Sequence, residues 1–462
     1  MRASRRRFLE TCSLMSVAGA ASPFALNLAS IAAASAQTAP DYKAIVCLFF
    51  YGGNDHTNTF IPYDQASYDQ YFASRNTIAI PRDAALAANA TGSVASQGGR
   101  EFAFHPALTA FKSHWDAGRL AVVANVGPLV RPTTRTQYQQ RSVPLPPKLF
   151  SHNDQQSVWQ AHQPIGEGAK IGWGGKIGDL LAGQNGNAIF TCISAGGNSV
   201  FLSGESVLQY QVGSSGPVSI SSISGTIYGS QGSAASTAYR SLITGASTNL
   251  FEHELRAVTA RSISANQQLS AALPAASSLT PAIPANNSLA SQLSVVARII
   301  AARTALGSSR QVFLVSIGGF DNHDVLLTQH AQQLARVNAA VDAFYSWLVQ
   351  LNVQNDVTLF TASDFGRTLT SNGDGSDHGW GSHHFVLGGA VQGGNVYGTF
   401  PPTTFFASGN PVDIGQGNLV PQLAVDQYAA TLAGWLGVSD TVIPDVLPNI
   451  VYFSPRYLGF LP

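Results

Sequence analysis

Four short apolar runs constrain the fold of this chain more than any other feature of its sequence. They span Lys43 to Tyr51, Arg119 to Val126, Gln311 to Ile317 and Asp356 to Ala362. Each has the length of one strand. Near-continuous apolar character is typical of strands buried on both faces of a sheet. These runs therefore predict a central sheet whose strands are covered on both sides.

Segments with helical periodicity alternate with the apolar runs. They cover residues 106–117, 154–162, 174–182, 289–305, 328–351 and 425–436. A short fifth strand is predicted from Phe385 to Leu387, and short strands with glycine turns are predicted within residues 188–212. Strands that alternate with helices favour a largely parallel sheet with helices on both faces. The sequence therefore predicts an α/β fold.

Residues 213–290 differ in composition from the rest of the chain. Ser, Ala and Thr dominate them, with helical stretches around residues 236–272 followed by the linker LPAASSLTPAIPANNS. We interpret this Ser/Ala-rich segment as a helical insertion or cap on a single domain that runs from residue 37 to residue 462.

The first 36 residues are typical of an export signal rather than of a folded element. Residues 4–10 resemble the twin-arginine signal, with Arg5 and Arg6 followed by Phe8 and Leu9. An interrupted apolar stretch follows and ends in Ala-Ser-Ala at residues 34–36, a small-x-small cleavage site. The resemblance implies the twin-arginine translocase and a signal peptidase as partners, and a periplasmic or secreted bacterial protein. Pro, Asn and Ser within the stretch disfavour a stable membrane anchor.

Composition excludes some classes of partner. The 25 basic and 25 acidic residues give a formal net charge of zero, and only 11% of residues are charged, against about 25% in an average soluble chain. Nucleic-acid binders that work through a basic surface are therefore disfavoured. Cys47 and Cys192 lie in apolar strand-like runs. We expect buried free thiols there, although a disulfide between them stays open.

Histidine and aspartate cluster after the predicted strands. Five of the 11 histidines fall between residues 323 and 384, among Asp321, Asp364 and Asp377. In an open α/β sheet, sites form beyond the carboxyl ends of the strands. Imidazole and carboxylate are ligands of transition metals. The alternative, ordinary polar side chains on surface loops, is weakened because several such clusters follow successive strands.

Familiar catalytic motifs are missing from the sequence. It contains no G-x-S-x-G elbow, no P-loop and no H-E-x-x-H motif. Asp364, Phe365 and Gly366 spell the magnesium tripeptide of kinases, but no H-R-D loop precedes them. We interpret that tripeptide as a coincidence.

Eight segments together resemble the DUF1501 family of exported bacterial proteins. They are GGNDHTNTFIPYD, FHPAL, VVANVG, LFSHNDQQSVWQ, GWGGKIGDLL, IGGFDNHD, TASDFGRT and DHGWGSHHFVLGGAVQGG, within residues 41–440. That family is grouped with the alkaline phosphatase and sulfatase superfamily. The resemblance implies an alkaline-phosphatase-like, three-layer α/β/α sandwich with a two-metal hydrolytic site.

The resemblance also implies roles for individual residues. The nucleophile is expected at Ser151, at the start of a predicted helix. The metal ligands are expected at Asp55, Asp321, His323, Asp364, His378 and His384. His383 is an alternative to His384. The superfamily usually has histidine directly after the fourth strand's aspartate, where this chain has Phe365, and we expect His378 to replace that imidazole.

These expectations combine into one functional hypothesis. The chain is predicted to be an exported metal-dependent hydrolase of phosphate or sulfate esters that acts on a small anionic substrate. One or two divalent ions are expected, Zn or Mn rather than Mg. The alternative is a metal-containing binding or assembly protein that keeps the fold without catalysis.

Overall fold

The computed structural model describes residues 41–164, 168–224, 226–227, 230–231 and 234–462. The predicted export signal, residues 1–36, lies outside these ranges. Within them, no helix is both long and apolar enough to cross a membrane.

The strands are numbered in chain order. They are β1 Lys43–Phe50, β2 Phe60–Pro62, β3 Ala90–Val94, β4 Arg100–Phe104, β5 Leu120–Gly127, β6 Cys192–Ser194, β7 Tyr210–Gly213, β8 Gly216–Pro217, β9 Thr226–Ile227, β10 Ser230–Gln231, β11 Arg310–Ile317, β12 Val357–Ser363, β13 Arg367–Ser371, β14 Ser376–His378, β15 Ser382–Leu387, β16 Val396–Tyr397 and β17 Leu423–Ala424.

The α-helices are numbered in the same way. They are α1 His56–Thr59, α2 Gln65–Arg75, α3 Arg82–Asn89, α4 Thr109–Asp116, α5 Arg135–Gln140, α6 His152–Gln160, α7 Trp173–Leu181, α8 Ser221–Ser224, α9 Ala234–Thr244, α10 Leu250–Ala272, α11 Ser288–Ala301, α12 Leu326–Gln350, α13 Val425–Leu436 and α14 Ile443–Val446. Short 3₁₀ turns connect several of them.

One large sheet organises the fold. Over the described residues it has ten strands in the order β16-β5-β15-β12-β1-β11-β6-β7-β8, with β17 beside β5. β1 runs parallel to β11 and β12, and β6 continues parallel to β11. β15 is antiparallel to both of its neighbours. The predicted largely parallel α/β sheet is therefore confirmed.

Two hydrophobic clusters lie on opposite faces of this sheet. Val46 and Leu48 enter the cluster that contains α11 and α12, whereas Ile45 and Cys47 enter the cluster that contains α7 and α13. Successive side chains of a strand point to opposite faces, so β1 is buried on both sides. The arrangement has three layers, helix, sheet and helix, as expected.

The direction of the strands decides where loops meet. The parallel strands β1, β11 and β12 end at one edge of the sheet. Because β15 is antiparallel to β12, it begins at that same edge. The loops after three strands and the start of a fourth therefore converge, and this edge carries the candidate site.

Both cysteines of the described chain are buried and free, which confirms the expectation for Cys47 and Cys192. The Ser/Ala-rich segment contains α8, α9 and α10. The C-terminal part of α10 packs on the core through Ala265 and Leu269. Whether this segment is an insertion or a cap stays a prediction.

Candidate metal centre

Four separate elements contribute to one group of polar side chains at the carboxyl edge of the sheet. The loop after β11 carries Asp321 and His323, and Asp364 directly follows β12. The β13–β14 hairpin carries His378 opposite Arg367. The fourth element is α6, whose first residue is His152.

Three residues, His152, Asp321 and His378, form a compact triangle within this group through two imidazole nitrogens and the two oxygens of one carboxylate. His152 Nε2 lies 3.1 Å from His378 Nε2, His378 Nε2 lies 3.3 Å from Asp321 Oδ1, and His152 Nε2 lies 3.4 Å from Asp321 Oδ2. Tetrahedral zinc with bonds of about 2.0–2.1 Å places its ligands about 3.3–3.4 Å apart. The three residues thus have the spacing of one face of a metal site.

The other nitrogen of each imidazole is engaged away from the triangle. His152 Nδ1 donates to Asp364 at 2.6 Å, and His378 Nδ1 donates to the Phe150 carbonyl at 2.7 Å. Such contacts fix the tautomer in which the Nε2 lone pair is free to bind a metal. Two Nε2 lone pairs that face each other at 3.1 Å repel each other unless a proton or a metal ion lies between them.

Asp364 accepts the hydrogen bond from His152 on the buried side of the site. It is fully buried, and its Oδ2 also accepts hydrogen bonds from Gln156 Nε2 at 2.9 Å and Gly52 N at 3.2 Å. The hydrogen bond to Asp364 outweighs partial burial and raises the pKa of His152. Asp364 Oδ1 has no partner among the described residues.

Arg367 fixes Asp321. Its Nη1 donates to Asp321 Oδ1 at 2.7 Å, and the arginine side chain is fully buried. Burial alone favours the neutral form of Asp321, but the hydrogen bond and charge of Arg367 hold its pKa below the usual value. Asp321 is therefore a carboxylate at neutral pH, ready to act as a ligand.

His323 flanks the triangle on its more exposed side. Its Nε2 lies 2.9 Å from His378 Nε2 and 3.0 Å from Asp321 Oδ1. Its Nδ1 donates to Asp377 Oδ1 at 3.2 Å. The structure thus brings together four of the residues expected from the sequence: Asp321, His323, Asp364 and His378.

Similarity to known sequences assigns the chain to a family. Residues 42–418 match the family described as "Protein of unknown function (DUF1501)". The chain belongs to the DUF1501 family. Among curated proteins, none matches this DUF1501 chain.

Several solved structures resemble the chain weakly. PsFucS1 sulfatase from Pseudoalteromonas sp. is 10% identical with a TM-score of 0.37, covering 94% of this chain and 76% of its own. Lipoteichoic acid synthase LtaP from Listeria monocytogenes is 9% identical with a TM-score of 0.33, at 90% and 78% coverage. The C-terminal periplasmic domain of EcEptC from Escherichia coli is 10% identical with a TM-score of 0.32, at 92% and 88% coverage. Similarity at this level supports no argument about activity.

Asp55 and the β15 histidines lie apart from the triangle. Asp55 is buried and forms an ion pair with Arg75 of α2. The His384 ring packs 5.4 Å from Trp159 and 5.9 Å from Tyr428, and the His383 ring packs 4.6 Å from His56. The structure therefore does not bring these predicted ligands to the triangle.

Ser151 precedes α6 directly and is next in sequence to His152. It occupies the N-cap position, but its side chain does not bond the helix backbone. Instead its Oγ donates to Asp154 Oδ2 at 2.6 Å. The first turn of α6 therefore keeps backbone N–H groups available beside the triangle.

His152 is the residue that sequence reasoning missed. It follows a long loop rather than a strand, so the rule that sites form at strand ends does not select it. A usable signal was present, since an imidazole on the first turn of the helix had to lie near the residue expected as nucleophile.

The turn after β1 depends on glycine. Gly52 has φ of +115°, and a Cβ on it would lie 2.4 Å from the Asp321 backbone nitrogen. Gly52→Ala is therefore expected to displace the Asp321 loop and to weaken Zn²⁺ binding at least about tenfold, measured by titration. Gly318→Ala is the matched control, because nothing lies within 4 Å of its added Cβ. Equal affinities in the two variants would contradict the role given to this turn.

Proposed function

We propose that this protein is an exported, metal-dependent hydrolase of phosphate or sulfate esters. The observation that carries the proposal is the triangle of His152, Asp321 and His378, with both imidazoles oriented by Nδ1 hydrogen bonds. Three protein ligands with one position left open are typical of catalytic zinc sites.

The donor set fits a divalent transition metal. Two imidazole nitrogens and one carboxylate favour Zn or Mn over Mg, which prefers oxygen ligands and water. The unpartnered, buried Asp364 Oδ1 also calls for a nearby cation. A bound divalent ion would supply Lewis-acid polarisation of an ester oxygen.

The first turn of α6 is suited to hold the anionic group. Its backbone N–H groups are not capped by Ser151, and the positive end of the helix dipole favours negative charge there. His152 lies in this turn, so an ester bound to the N–H groups would also lie beside the triangle. The helix would thus orient the ester for attack.

Ser151 is the proposed nucleophile. Its hydroxyl already donates to Asp154 at 2.6 Å, and this carboxylate would accept the proton as the serine oxygen attacks. A bond forms from Ser151 Oγ to phosphorus or sulfur, and the ester oxygen leaves and takes up a proton. Water then releases Ser151 together with inorganic sulfate or phosphate, or with a phosphate monoester when the substrate is a diester.

Ser151→Ala is expected to lower turnover of an aryl phosphate or aryl sulfate by about 10³-fold or more, because the covalent route is lost. Zinc content should stay at the wild-type value, since Ser151 is not part of the triangle. Turnover is followed by release of the aryl alcohol. Ser157→Ala, a serine of the same helix whose hydroxyl bonds only backbone carbonyls, serves as the control.

Two outcomes would redirect the proposal. Unchanged turnover in Ser151→Ala would assign the attack to water or to another residue. No turnover of either ester by zinc-loaded wild-type protein would favour the alternative, a metal-containing binding or assembly protein.

Export is proposed from the sequence alone. The twin-arginine signal at residues 4–10 and the cleavage site at residues 34–36 support transport to the periplasm or beyond. The translocase and the signal peptidase would be transient partners. The balanced charge disfavours nucleic acid as a partner.

A further inference from the structure

Carboxylates surround the candidate metal centre. Asp321 and Asp377 contact its histidines, with 44% and 50% of their side chains exposed. Asp364 lies buried beneath His152. Asp374 accepts a hydrogen bond from Val325 N at 3.0 Å, at the end of the loop that carries Asp321 and His323. An anion that approaches the triangle therefore meets an acidic rim.

Arg367 contacts this rim from inside the protein. Its Nη1 forms an ion pair with Asp321. Its guanidinium is fully buried and also donates to the Gly52 and Ser376 carbonyl oxygens. The hydrogen bonds of Arg367 are thus made to groups of the protein itself, and its guanidinium does not extend towards a substrate.

Among the described residues, no second group of three metal-ligating side chains lies beside the triangle. Asp55, the carboxylate expected to hold a second ion, is already neutralised by Arg75. Arg75 is itself held by the carbonyl oxygen of Thr368. The apolar Phe365 ring lies 4.8 Å from the His152 ring and 4.7 Å from the His378 ring. It occupies the position at which a second metal ion would need a further imidazole ligand.

We infer that the site takes singly charged tetrahedral esters, such as a sulfate monoester or a phosphate diester, in preference to the doubly charged phosphate monoester. This inference rests on the proposed function. One divalent ion and Arg367 balance Asp321, Asp364 and Asp377, and Asp374 adds a further negative charge. Each excess negative charge on the ester then faces a site with no net positive charge to receive it.

The charge preference can be measured by binding, without catalysis. Methanesulfonate and methylphosphonate have nearly the same shape, but carry one and about two negative charges at about pH 8.5. Calorimetric titration of zinc-loaded wild-type protein should show methanesulfonate binding at least about tenfold more tightly. Tighter binding of methylphosphonate would overturn the inference.

Removing rim charge should shift the preference. Asp374→Asn keeps an oxygen that can accept from Val325 N, and it should improve methylphosphonate binding relative to methanesulfonate. Asp69→Asn, on the exposed face of α2, should leave the ratio unchanged. If Asp374→Asn leaves the ratio of methylphosphonate to methanesulfonate affinity unchanged, the role given to the rim is contradicted.

Turnover separates this inference from the proposed function. With one aryl leaving group on a sulfate ester, a phosphate diester and a phosphate monoester, the Asp374→Asn variant should gain most on the monoester. Hydrolysis with the reverse preference would refute the charge argument alone. Binding of methanesulfonate without hydrolysis of any of the three esters would refute the proposed function and leave the charge preference standing.

Discussion

His378→Ala is expected to lower the affinity of the protein for Zn²⁺ by at least about 100-fold, since loss of a direct ligand exceeds the 10–100-fold cost of losing an outer partner. His378 Nε2 lies within 3.3 Å of His152, His323 and Asp321. Among the described histidines, His378 is the one that contacts all three residues. The rate of aryl-ester hydrolysis should fall in proportion to the amount of bound zinc.

Zinc affinity should differ by degrees among three variants. Asp377→Asn removes only the carboxylate that accepts from His323 Nδ1, so an intermediate loss is expected. His162→Ala is the control, because that histidine bonds the Val446 carbonyl away from the triangle. Competition titrations with a zinc indicator measure the affinities, and melting of the metal-free proteins checks their folding. Wild-type affinity in His378→Ala would remove the triangle as the metal site.

Mild acid is expected to unfold the metal-free protein. The histidines His105, His330, His383 and His384 are all buried. Burial lowers the pKa of each to about 3, against about 6.5 in an unfolded chain. The unfolded state therefore binds more protons than the folded state between about pH 6.5 and pH 3.

This difference in bound protons means that the free energy of unfolding falls as the pH falls. The stability that these neutral histidines contribute is fully present above about pH 6.5 and is lost as the pH falls towards 3. Each group costs about 1.4 kcal/mol per pH unit in this window. Because burial raises the pKa of Asp426 to about 7, that buried carboxyl binds a proton in the folded state and opposes the trend with one proton above about pH 4. A net loss of about 4 kcal/mol per unit would exhaust a typical stability of 5–15 kcal/mol near pH 4 to 5.

Urea unfolding at a series of pH values, with a chelator present, measures this loss. His330→Gln removes one of the four groups and should reduce the slope by about 1.4 kcal/mol per pH unit. His253→Gln changes an exposed histidine of α10 and should leave the slope as it is. A flat free energy of unfolding between pH 6 and 4 would show that these histidines are not held neutral.

Apolar continuity was sufficient to predict the sheet. The run Lys43 to Tyr51 is observed as Lys43–Phe50, and Gln311 to Ile317 as Arg310–Ile317. Boundaries were poorest where loops replace strands. Residues 188–212 contain one complete strand, Cys192–Ser194, and the beginning of another, together with 3₁₀ turns. Short strands depend on their neighbours more than on their own sequence.

Strand ends were also sufficient to predict much of the candidate site. Asp321, His323 and Asp364 follow β11 and β12, so topology alone brings them together. His152 and the Asp55–Arg75 ion pair were not predictable in this way. Both depend on how α6 and α2 pack against the sheet edge, and no local pattern encodes a side-chain contact between distant elements.

An anomalous difference map from zinc-loaded crystals, recorded at the zinc absorption edge, tests the central claim most directly. We expect one strong peak per chain, about 2.0–2.2 Å from His152 Nε2, His378 Nε2 and an Asp321 oxygen. No peak is expected between Asp55 and the β15 histidines. A peak at Asp55, or the absence of any peak at the triangle, would contradict the account.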